Sequence, residues 1–188
     1  MARLFCVLLI VVYVSGVQAS DTQPSYKSVY AGQEAREIKS LSAKDIAILK
    51  RGGGWGFARA AELNGMPGPV HVLELKQKLG LGNTQISKIT EIYEDMRVNA
   101  VEQGKVFIAL ERELEVLFRN NTVTEERLEQ ALNKIAQVRA ALRYIHLAAH
   151  LKVAGILRPE QVRHYNILRG YTGKKSGDKD VRGSHHGH

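Results

Sequence analysis

Two histidines four residues apart, His146 and His150 in "YIHLAAHLK", are the first residues whose type and spacing invite chemistry. On a helix, positions i and i+4 share a face with Cβ atoms about 5–6 Å apart, so two imidazoles there can approach one metal ion. One chemistry is excluded at once: "HLAAH" lacks the glutamate that serves as general base in the HExxH metalloprotease pattern. Two ligands also fall short of a stable zinc site, which takes at least three from the protein. A second pair, His71 and Glu74 in "HVLE", stands at i and i+3. If its helix crosses the later one, His71, Glu74, His146 and His150 form an N/O set suited to Zn, Ni, Co or Cu. The alternative is that these side chains cap, hydrogen-bond or line the flank of a packed helix, and spacing alone does not decide. His164 reads as a surface or flank residue.

Other candidates are weaker. The terminal "HHGH" offers His185, His186 and His188, a tract able to pick up Ni, Cu or Zn weakly and with little selectivity. Trp55 and Phe57, set among glycines in "GGGWGF", suit either a plug at one end of a helical core or an apolar lip for a partner. The glycine-rich text lacks the GxxxxGK[ST] pattern and no strand precedes it, so a phosphate loop is not expected. No nucleophile–base pair, paired-carboxylate motif or cofactor fingerprint is present. The expectation is a binding protein, not an enzyme, with no obligatory cofactor and at most a divalent transition metal.

The elements that must position these residues are helices. Ser42 with Asp45 three residues on makes a capping-box start, and Gly52 marks a stop. "ARAAELNG" can form a short turn of helix, and Val70 to Leu79 a second short helix. From Thr84 to Phe118 the apolar residues keep helical spacing, interrupted only near Gln103 and Gly104. Thr124 caps a second long helix, with Glu125 and Glu126 at its positive end and Gly155 after it. Pro159 opens a last helix running to Tyr171. No apolar–polar alternation of the strand type occurs. The expected fold is all-α, an extended helical hairpin of two long helices with shorter flanking helices and flexible termini.

The first nineteen residues have the layout of a secretory signal: Arg3, the apolar run "LFCVLLIVVYV", and "VQA" ending at Ala19. Cleavage there removes Cys6, the only cysteine, so no disulfide or thiolate ligand is expected in the mature chain. It also removes one arginine, taking the formal net charge from +8 to +7. The basic residues are scattered among glutamates and aromatics are few, so nucleic acid is not the expected partner. No second apolar span follows, and a stable membrane span after cleavage is not expected. The domain plan is then residues 1–19 as signal peptide, 20–40 as a loose arm, 41–171 as the helical domain and 172–188 as a disordered basic tail.

Two helix starts repeat a pattern. "LGLGNTQISKI" and "GILRPEQVRHY" each carry a leucine followed four residues later by a glutamine, Leu81 with Gln85 and Leu157 with Gln161. Together with the export signal and helix order, this resembles the twin LTxxQ signature of the Spy/CpxP family over residues 70–171. Gly82 and Arg158 stand where that family often has threonine or serine. The resemblance implies a periplasmic, cradle-like helical protein, able to pair as a homodimer, that acts as a heavy-metal sensor or resistance protein, or in envelope stress. Its implied partners are unfolded or envelope proteins, or a membrane sensor or regulator. A metal-independent, ATP-independent chaperone or adaptor and a structural interaction protein are the other readings.

Overall fold

Ser42 starts the first helix as its spacing requires. Its hydroxyl accepts the Asp45 N–H while the Asp45 carboxylate accepts the Ser42 N–H, and the helix α1 runs Ala43–Lys50. Gly52 ends it with a positive φ of 72°, its N–H bonded to Leu49 O and that of Gly53 to Ile48 O. This paired closure satisfies carbonyls that the last helical turn would otherwise leave open. The computed structural model describes residues 26–171. The signal peptide and its cleavage after Ala19, the start of the arm, and the tail with His185, His186 and His188 lie outside the described residues. Residues 26–32 make turns, and the body described below begins at Gln33.

All regular structure among the described residues is helical: after α1 come α2 (Arg59–Glu62), α3 (Pro69–Glu74), α4 (Asn83–Arg119), α5 (Glu125–Ala154) and α6 (Pro159–Leu168). The two long helices pack against each other as a hairpin, and α4 with 37 residues is about 55 Å long. Thr124 caps α5 through the Arg127 N–H, as expected. No described helix is long and apolar enough to cross a membrane. The second short helix is shorter than the expected Val70–Leu79. The α-helix stops at Glu74, and the chain continues in turns to Gly80, whose positive φ closes them.

The arm differs more. Ile38 near its end and Leu41 just after it are buried, and residues beside them are tied to α4: Lys39 to Glu115 at 2.7 Å, Ser40 to Glu111 at 2.6 Å, and Glu37 to Arg112 at 2.8 Å. Each exposed ion pair contributes little by itself. The two buried aliphatic side chains supply most of the docking energy, and they are too sparse in sequence to announce a core segment.

Gly104, expected as an interruption of α4, lies inside continuous helix and is buried. A Cβ there would stand 2.6 Å from the backbone oxygen of Leu49, so the end of α1 can rest on α4 only if position 104 has no side chain. Gly104→Ala should therefore lower stability by about 1–3 kcal/mol through overpacking, even though alanine favours a helix by about 1 kcal/mol. Urea unfolding checks this, and a raised midpoint would show that α1 does not press there.

The buried apolar residues form two clusters along the hairpin. One gathers Ile38, Leu41, Leu49, Phe57, Phe107, Ile108, Ile135 and Leu142. The other gathers Val72, Leu79, Ile89, Val153, Leu157 and Tyr165. On α5 the polar pair His146 and His150 falls between Leu142 of the first cluster and Val153 of the second.

Candidate binding site: a histidine-lined cavity

Between the glycine-rich loop, α2, α3 and the two long helices is a cavity of about 590 Å³, within the usual range for ligand sites. His71, His146 and His150 all line it, together with Glu62, Tyr93 and Met96. The segments "HVLE" and "HLAAH" are thus brought to one place, since α3 packs on α5. Glu74 is not among the lining residues.

His150 is 7% exposed, not a flank residue, and its Nδ1 lies 2.9 Å from the carbonyl oxygen of Met66. A carbonyl only accepts, so Nδ1 donates, and in that tautomer the ring's lone pair lies on Nε2. The ring seats against Gly68, where a Cβ would lie 2.7 Å from Nε2 and Cε1. His71 is held alike: its Nδ1 is 2.9 Å from Glu74 Oε2, which again places the proton on Nδ1. Glu74 therefore orients His71 from its own helix.

His146 is 3% exposed, stacked on Phe57 with ring centroids 5.9 Å apart, and its Nε2 has no hydrogen-bond partner. Burial, and next the neighbouring His150, push its pKa down to about 4, so the ring is neutral at neutral pH. Neutral imidazole is the form that binds metals, and donation of the other ring nitrogen to a carbonyl or carboxylate is the usual support for such a ligand. Yet among the described residues no three histidine, cysteine or acidic side chains are gathered closely enough to hold a metal ion. The three histidines share the cavity lining, but the four-residue set expected from spacing is not assembled as a cluster.

Glu62 had no signal in the sequence. Its Oε1 accepts from the Tyr165 hydroxyl at 2.8 Å, the Tyr171 hydroxyl at 3.0 Å and Arg169 Nε at 3.3 Å, and its Oε2 is 3.9 Å from His150 Nδ1. Burial, with the hydrogen bond to Glu62, raises the Tyr165 phenol above its ordinary range. These residues are about a hundred positions apart in the chain, so only folding could connect them. Trp55 also went unread in one respect: its backbone adopts φ 38°, unusual outside glycine. Its ring packs on Phe57 and Phe107 and its Nε1–H donates to Asp45, which makes it a plug of the core.

The repeated leucine–glutamine motifs meet face to face. Gln85 Oε1 accepts the Gly82 N–H and Gln161 Oε1 accepts the Arg158 N–H, each closing the start of its own helix. Each amide then crosses over: Gln85 Nε2 donates to Ile156 O, and Gln161 Nε2 to Leu79 O and Gly80 O. The two side chains also bond one another, at 2.9 Å from Gln85 Nε2 to Gln161 Oε1. Leu81 and Leu157 pack in the second apolar cluster. Both motifs are thereby structural, satisfying helix starts and loop carbonyls at one corner. No protein-family model, curated protein or solved structure matches the chain.

Proposed function

We propose that this chain is an exported helical binding protein of the Spy/CpxP-like type, acting in the periplasm as a heavy-metal sensor or resistance protein or in the response to envelope stress. The observation that supports this reading is that His71, His146 and His150 line one cavity, without closing into a three-ligand set, and that the buried Nε2 of His146 is left unpartnered. A buried polar atom without a partner costs about 1–3 kcal/mol, a cost a bound ligand would offset. The function is one of binding, and a membrane sensor or a second copy of the chain would read the bound state.

Calorimetric titration of residues 20–188 and 20–171 with Zn²⁺, Ni²⁺, Co²⁺ and Cu²⁺ tests it. Binding should survive loss of the tail and weaken at least about tenfold in His71→Ala, whose ring is partly exposed and whose loss spares the core. Binding that disappears with the tail would assign the metal to His185, His186 and His188 instead. The chaperone reading has one observation in its favour: Phe118, Leu132 and Val106 on the long helices are 53%, 47% and 41% exposed. Suppressed aggregation of a denatured client in the presence of a chelator would support that reading over the first.

A further inference from the structure

Next to the histidine cavity, and sharing Trp55, Gly56, Arg59 and Leu63 with it, lies a second, open cavity of about 410 Å³, lined also by Phe57, Arg139 and Arg143. No carboxylate lines it, and none of the three arginines has an ion-pair partner among the described residues. Arg139 and Arg143 are four apart on α5, a spacing at which like charges repel and destabilise a helix. Arg59 adds a third positive charge from α2. The fold therefore carries a concentrated positive charge with no internal counterpart. Its floor is aromatic: the Arg139 guanidinium sits 5.1 Å from the centroid of Trp55 and 5.8 Å from that of Phe57. Leu63, 62% exposed, adds an apolar contact at the same place.

We propose that this cavity docks an acidic segment of a partner protein, its carboxylates on Arg59, Arg139 and Arg143 and an apolar side chain against Leu63. Charge complementarity names the sign of the partner. A peptide segment, in place of a free organic acid, follows from the openness of the site. Small ligands are held by enclosure of most of their surface, whereas exposed arginines beside a fixed tryptophan have the composition of a protein-interface hot spot. The inference shares with the preceding section the reading of the chain as a binding protein, but not the metal.

Trp55 is the only tryptophan and lines both cavities, so its fluorescence, read in chelator to keep metal from the histidine cavity, reports on peptide binding here. The probe is the peptide acetyl-Glu-Glu-Leu-Glu-Glu-amide, with acetyl-Gln-Gln-Leu-Gln-Gln-amide and citrate as comparisons. The acidic peptide should bind at least about tenfold more tightly than either, change the Trp55 emission and weaken with added salt. Arg143→Glu should abolish that preference and Arg59→Ser reduce it, with helicity checked by circular dichroism. Equal binding of the glutamine peptide, citrate matching the acidic peptide, or unchanged affinity in Arg143→Glu would each overturn the proposal. Arg143 does not line the histidine cavity, so metal titration of Arg143→Glu reports on that site separately.

Discussion

Gln161→Leu is expected to lower the unfolding free energy by about 3 kcal/mol, because each buried polar group it abandons costs about 1–3 kcal/mol. Gln161 is 3% exposed, and its removal strands the Arg158 N–H, the carbonyls of Leu79 and Gly80, and one side of the Gln85 amide. Leucine matches the volume closely enough that packing loss is the smaller term. Gln85 is only partly buried, so Gln85→Leu should cost about half as much, water reaching the groups it leaves. Because the two amides bond each other, the double variant should lose less than the sum of the singles. Urea unfolding of all four proteins measures this cycle. Strict additivity would show that the two glutamines act as independent caps and not as one lock.

Acid should remove a comparable amount of stability through a single side chain. The pKa of His146 is depressed to about 4 in the folded protein, against about 6.5 when unfolded. The unfolded chain therefore takes up a proton that the folded chain resists, and stability falls as pH drops. The contribution is intact above pH 6.5, declines between about 6.5 and 4, and levels off below, a loss of about 3 kcal/mol. Asp45 and Glu115, whose carboxyls are held below their usual range by Ser42 and Lys39, lose their contributions only at lower pH. Denaturant melts in chelator at pH 7, 6, 5 and 4.5 should show the decline in the wild type and a flatter profile in His146→Leu. An equally steep profile in that variant would place the acid sensitivity elsewhere. At pH 7 the variant should be nearly as stable as the wild type, since leucine also removes the unpartnered Nε2.

Parts of this site were legible along the chain and parts were not. The spacing of His146 and His150 put them on one helical face, and "HVLE" was recognisable as the other half. Whether the two would meet depended on the turn from Gly65 to Gly68, which sets α3 across α5, and no local pattern encodes that crossing. Burial is illegible for a similar reason. Spacing alone does not separate a helix flank from the interior for these histidines, and it is Phe57 and Gly68, from other segments, that close over them. Glu74 looked like a ligand by type, and its position one helical turn from His71 makes it that ring's hydrogen-bond partner. The glutamines were the better case, because a helix start dictates what a side chain at that position can bond.

The chain by itself determined the helices: caps at Ser42 and Thr124, stops at Gly52 and Gly155, and the long apolar stripes between. These rest on interactions within a few residues, where backbone groups at helix ends and the 3.6-residue period leave little choice. Only the tertiary structure decided that Ile38 and Leu41 join the core, that Gly104 is a contact point for α1, and that Glu62 gathers Tyr165, Arg169 and Tyr171 beside His150. Those outcomes depend on which surfaces meet across more than fifty residues of chain. They are fixed by burial and close packing, which act between segments and leave no mark on either one alone.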